Sequence, residues 1–96
     1  MGFAFEYDRR KAESNLKKHG VSFREAMTVF DDPLAQTFPD DLHSEDESRS
    51  ITIGLSSRKR LLFLSHLEFE DRIRLIGARS ADNAEREAYE GLKRGS

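Results

Sequence analysis

The side chains able to move protons or hold anions fall in a few short stretches of this sequence. Lys17-Lys18-His19-Gly20 sets ammonium groups beside an imidazole, a pair that serves as general base or acid at a phosphodiester. The same residues also suit a helix end, where cations in the last turn are favoured by the macrodipole by about 0.3–1 kcal/mol each, and that is the more economical reading. Arg72 and Arg74 stand two apart, so on a strand they share a face, where two guanidinium groups suit bidentate contact with phosphate oxygens. Their alternative is a solvent face salted against Glu68, Glu70 or Asp71, whose ion pairs contribute about 0–1 kcal/mol. Arg79 falls on the core-side parity if its strand stays regular, so it is placed beyond the strand end or held by a buried carboxylate. His66 shares a face with Leu62 and Leu64 and reads as a hydrogen-bonded core residue. His43 lies among carboxylates in what reads as a solvated loop.

Taken together these residues permit one reaction without demanding it. Cleavage of RNA by its own 2′-hydroxyl needs a base, cations for the phosphorane charge and an acid for the leaving oxygen, and His, Lys and Arg provide all three with no metal and no cofactor. Other classes drop out. The chain has no Gly-rich phosphate loop, no paired metal-ligand spacing and no nucleophile elbow. It has no cysteine, which excludes a disulfide scaffold and a thiolate site and points to a reducing cytoplasm. The longest apolar run, Leu61 to Leu64, is far too short to span a bilayer. The net charge of −2 disfavours nonspecific nucleic-acid binding, yet acids crowd into 40–47 while bases gather at 9–11, 17–19, 58–60 and Arg72/Arg74/Arg79, so a near-neutral sum is compatible with a basic face.

The elements that position these groups follow from periodicity and punctuation. The 96 residues fit a single domain spanning 1–96. Phe3 to Tyr7 alternates as a half-buried strand does. Asp8 caps a helix from Arg9 to about Lys18, with Ala12 and Leu16 inward and Gly20 as its stop. Ser22 and Glu25 form a capping box, with Val21 stapled to Ala26, and Phe23, Ala26, Met27 and Phe30 share one face of the helix that follows, which ends at Asp31-Asp32-Pro33. Leu34 to Phe38 is a short strand, and 39–47 an acidic loop. Arg49–Ile53, Arg60–Leu67 and Arg72–Ala78 are strands joined by hairpin turns, with Ile73, Leu75 and Gly77 facing the helices. Asp82 with Glu85 opens a last helix that turns Ala84, Ala88, Tyr89 and Leu92 inward. The order β-α-α-β-β-β-β-α is that of an α+β fold with an antiparallel meander sheet.

Glu6-Tyr7-Asp8, Lys11, Asn15, Lys18-His19-Gly20-Val21-Ser22-Phe23, Glu25-Ala26 and Val29 to Pro33 resemble the BrnT toxins. The likeness continues through His43-Ser44, Glu47, Arg49, Ile53-Gly54, Arg72 to Ile76, Ala78-Arg79, Glu85-Arg86 and Tyr89-Glu90. The resemblance implies a type II toxin with a RelE-like fold that cleaves RNA without metal and blocks translation. It also implies a BrnA-like antitoxin with a ribbon-helix-helix domain, through which alone DNA is reached. Carried over position by position, it places Lys18, His19, Arg72 and Arg74 in catalysis and Arg79, Arg49 and Glu47 in RNA binding, without settling which group is base and which acid. A catalytically silent module that only binds the antitoxin-like partner is the alternative from a different class. A nucleic-acid-binding regulator ranks behind both, because no recognition helix carries clustered bases.

Overall fold

A computed structural model of the chain describes residues 4–43 and 48–95, without the side chains of His43 and 92–95. In chain order the elements are β1 (Ala4–Glu6), α1 (Arg9–His19), α2 (Phe23–Met27), a 3-10 turn (Thr28–Asp31), β2 (Gln36–Pro39), a second 3-10 turn (Asp41–His43), β3 (Arg49–Leu55), β4 (Leu61–Phe69), β5 (Arg72–Ser80) and α3 (Asn83–Gly95). The chain is α+β, as expected, and the strand order is β1-β5-β4-β3-β2. β2 to β5 form the antiparallel meander that the alternating segments predict. The sheet as a whole is mixed, because β1 lies parallel to β5 with Ala4 opposite Arg72 and Glu6 opposite Arg74. The chain between β1 and β5 runs through α1, α2 and the other three strands, so it supplies the long connection that a parallel neighbour requires.

Each face of the sheet buries its own cluster. On one, Val21, Phe23, Ala26 and Val29 of the α1–α2 segment pack on Leu62, Leu64, Leu75 and Ala78. On the other, Tyr89 of α3 packs on Ile53 and Leu61. Of the expected inward face of α3, Tyr89 is buried. Ala84 and Ala88 are exposed, and the side chain of Leu92 lies outside the described residues. The helix is held instead by polar anchors. Tyr89 donates to Asp32 Oδ2 at 2.7 Å, and Asp32 also accepts from the Leu34 and Leu55 amides. Burial, with Asp32 adding to it, pushes the Tyr89 hydroxyl up to about 12, so it remains a donor.

The capping motifs are half as written. Asp8 accepts from the Arg10 and Lys11 amides, Gly20 closes α1 in the left-handed region (φ 70°), and Ser22 accepts from the Glu25 amide at 3.0 Å. Asp82 and Glu85 cap each other reciprocally at 2.8 Å. Glu25, however, does not reach back to Ser22. Its buried carboxylate takes Ser56 Oγ at 2.6 Å and Arg60 Nε at 2.9 Å, and it also pairs with Arg60 Nη2. Arg60 continues to the Gly20 carbonyl at 3.1 Å, so the β3–β4 turn is tied to the corner between α1 and α2. The Arg60 hydrogen bond holds the Glu25 carboxyl below its ordinary value. A buried carboxylate outbids a cap because leaving it unpaired in the interior costs more than a lost terminal hydrogen bond.

His66 is the core histidine that the pattern predicts. It is fully buried, stacks edge-on against Phe30 at 5.2 Å, and its Nε2 lies 2.7 Å from Thr52 Oγ1, which in turn bonds Thr37. Desolvation pulls it down to about 4. The unfolded chain therefore binds the extra proton between the ordinary value of 6.5 and about 4, and stability present above 6.5 is lost as pH falls through that window. Urea denaturation at a series of pH values should show a loss of up to about 3 kcal/mol across it. A His66→Gln variant should flatten that slope, and an equal slope in the variant would assign it elsewhere. Gly54 is sterically required, since a Cβ there would stand 2.8 Å from both Ala35 Cβ and Val29 Cγ1. Gly54→Ala should cost about 1–3 kcal/mol by the same assay.

Candidate active site

β1 covers only the first part of β5, ending where Glu6 meets Arg74. Beyond it a side chain takes the place of a strand. Asn15, buried on the inner side of α1, accepts from the Ala78 amide at 3.0 Å and donates to the Ala78 carbonyl at 2.8 Å. The same Nδ2 donates to the Val21 carbonyl at 2.9 Å. This is why α1 turns inward about Ala12 and Asn15, while Leu16, expected inside, is 51% exposed. The helix C-terminus is thereby fixed against the edge of β5.

Two adjoining cavities open there, sharing Asn15, His19 and Gly77. One, of about 330 Å³, is lined also by Lys11, Lys18 and Ile76. The other, of about 170 Å³, is lined also by Phe63, Ser65, Ala78 and Arg79. No carboxylate lines either one. Lys18 and His19 line the groove, and their side chains have no hydrogen-bond or ion-pair partner among the described residues. Among the described residues no three His, Asp or Glu side chains converge as metal ligands do.

Arg79 reaches the groove through an irregularity. Ser65 pairs with Gly77 but His66 pairs with Leu75, so Ile76 is an extra residue in β5. Such a bulge reverses the facing of everything after it. Ala78 therefore joins Leu75 on the helix side, and Gly77 does not, while Arg79 lies on the α3 side rather than at the core-side parity of a regular strand. There its guanidinium sits 3.9 Å from the Phe63 ring centroid and makes a paired contact with Glu85, Nη1 at 2.9 Å and Nη2 at 2.8 Å. Nη1 also donates to the Ser80 carbonyl. The Glu85 hydrogen bonds raise Arg79 above its ordinary value, fixing it as a cation. Its Nε hydrogen and one Nη2 hydrogen have no acceptor among the described residues.

The remaining expected site residues fall elsewhere. Arg72 and Arg74 share one face, as their spacing predicts, but line neither cavity. Glu6, from β1, pairs with them at 3.7 Å and 3.4 Å, rather than the acids of the β4–β5 turn. Arg49 lies opposite Leu67, which lies opposite Arg74, so the two arginines flank one leucine across three strands. Glu47 is outside the described residues. Sequence reasoning missed Asn15, Phe63 and Ser65 as site residues. The available signal for Asn15 was an amide three positions after Ala12, on the side of the helix that must be buried.

Comparison with known proteins places the chain in a family and a fold. The pattern of the family described as "Ribonuclease toxin, BrnT, of type II toxin-antitoxin system" matches residues 7–85. The crystal structure of the Brucella abortus ribonuclease toxin BrnT superposes with a TM-score of 0.65 at 20% identity, covering 84% of this chain and 99% of that one. No curated protein sequence matches.

Removing the Asn15 amide leaves two carbonyls and an amide of the interior without partners. Asn15→Ala should cost at least about 2 kcal/mol in urea denaturation. Hydrogen exchange should speed up selectively at Ala78; protection there equal to the wild type would show that some other group covers the edge.

Proposed function

The chain belongs to the BrnT family of type II toxin–antitoxin ribonuclease toxins, and from that premise we propose that it cleaves RNA without a metal ion at the groove along β5. The observation that carries this reading is the placing of His19 and Arg79 around one cavity, with Lys11 and Lys18 in the next. In the reaction the 2′-oxygen attacks the adjacent phosphorus while its proton passes to a base. The bond from phosphorus to the 5′-oxygen then breaks, and that oxygen takes a proton, leaving a 2′,3′-cyclic phosphate and a 5′-hydroxyl. Imidazole is the side chain best suited to such exchange near neutral pH, so His19 is assigned proton transfer. Lys18 and Arg79 stabilise the charge on the phosphorane oxygens. Arg72, Arg74 and Arg49 extend the positive strip across the sheet and hold the RNA backbone on either side of the cut, in a reading that moves Arg72 and Arg74 from chemistry to binding.

We extend the proposal to its setting: cleavage inhibits translation in the cytoplasm, a BrnA-like ribbon-helix-helix antitoxin neutralises the toxin and carries any contact with DNA, and the fold is related to that of RelE-type ribonucleases. No helix of the described residues is long and apolar enough to cross a membrane.

The test is cleavage of RNA by purified protein in excess EDTA, with the 3′ ends analysed. Cyclic-phosphate ends are expected, with His19→Ala lowering the rate about 10²- to 10⁴-fold. Arg74→Ala should weaken RNA binding while leaving the melting temperature near that of the wild type, since its ion-pair partner among the described residues is the part-exposed Glu6. A folded protein that leaves RNA intact, with or without EDTA, would sink the reading in favour of a silent antitoxin-binding module.

A further inference from the structure

Ser65 lines the smaller cavity together with His19 and Arg79. It sits in the interior of β4, half-buried, with Leu64 and His66 turned to the opposite face. Its neighbours in the sheet are Ile51 on β3 and Gly77 on β5. Glycine leaves nothing to screen the hydroxyl on the β5 side, and that hydroxyl has no hydrogen-bond partner among the described residues. Arg79, which lines the same cavity, is held in a fixed pose: Glu85 takes one edge of the guanidinium, Phe63 lies under its face, and the edge made by Nε and Nη2 has no acceptor among the described residues. A planar cation with two parallel donors, a neighbouring hydroxyl and no lining carboxylate fit an oxyanion with tetrahedral geometry.

Resting on the ribonuclease reading, we propose that Ser65 is a substrate-contacting residue whose hydroxyl, together with the open edge of Arg79, holds the non-bridging oxygens of an RNA phosphodiester. The cavity volume of about 170 Å³ is small, so the phosphate enters while the flanking nucleosides lie outside. Arg79 supplies the charge and Ser65 the direction: a hydroxyl donates along one line, and so fixes which oxygen faces the guanidinium. The bulge at Ile76 completes the arrangement, because a regular strand would put Arg79 on the other face of the sheet.

The same anion could arrive as free phosphate or within an RNA backbone, and two ligands separate these. Isotope-labelled protein is titrated with inorganic phosphate and then with an uncleavable 2′-O-methyl RNA oligonucleotide. Phosphate should move the amide resonances of Ser65, Gly77 and Arg79, and the oligonucleotide should displace it. Ser65→Ala should weaken both ligands roughly tenfold, the loss expected for one hydrogen bond to a charged group, at an unchanged melting temperature. Ser65→Thr, which keeps the hydroxyl and suits a strand, should restore them. Resonances indifferent to phosphate, an oligonucleotide that binds without displacing it, or full affinity in Ser65→Ala would each overturn the proposal. Cleavage assays run alongside keep the two readings apart. Binding as described without RNA cleavage overturns the ribonuclease reading and leaves the subsite standing, whereas wild-type cleavage and affinity in Ser65→Ala remove the subsite alone.

Discussion

The arrangement depends on one amide. A strand edge presents peptide groups that must find partners, and β5 runs on past the end of β1 with its Ala78 peptide unpaired by any strand. Asn15 satisfies both groups of that peptide and the Val21 carbonyl besides. Its amide has the same donor and acceptor pair as a backbone residue, so it continues the ladder by one rung from the side of a helix. Everything near the groove follows from that rung: α1 approaches closely enough for His19 to share a cavity with Arg79, and the turn from α1 into α2 is anchored at Val21. The edge is closed to another strand at Ala78, yet the space beside Gly77 is left open.

A second constraint acts through α3. Among the described side chains, Tyr89 on Asp32 and Glu85 on Arg79 tie this helix to the rest of the fold. Glu85 also accepts from the Asp82 amide as the first turn of the helix forms. One carboxylate therefore starts a helix and fixes the guanidinium that lines the cavity. Neither job needs a large buried area, which suits a chain with 36% hydrophobic residues and 35% charged.

Most of the fold was legible in the sequence because the signals were local. Alternation gave β3, β4 and β5, and the residues at Asp8, Gly20, Ser22 and Asp82 marked helix ends where the structure has them. Long-range pairings were not legible. The direction of β1 depends on which strand it meets, and nothing within residues 4–6 specifies β5. Glu25 reads as half of a capping box until Arg60 and Ser56 are brought to it from the far turn. The site was legible in residue type and less so in placement. Lys18 and His19 face a groove, but the parity argument for Arg79 failed at Ile76, because the extra residue is itself a strand former and its one local mark is the glycine that follows, Gly77. Asn15 was hidden for a related reason: an apolar pattern passes over a polar residue whose partners are peptide groups sixty-three positions away.

The pairing of β1 with β5 also bears on how the protein is made. Glu6 emerges from synthesis long before Arg74, its partner 68 positions on, and Glu85 follows later still. Chains grow at about 5–20 residues per second, so for several seconds a nascent chain holds His19 but has neither the strand that it must face nor the carboxylate that sets Arg79. No stretch that stops short of Glu85 holds Arg79 where it lines the cavity. The groove is thus completed only as the last helix begins to wind.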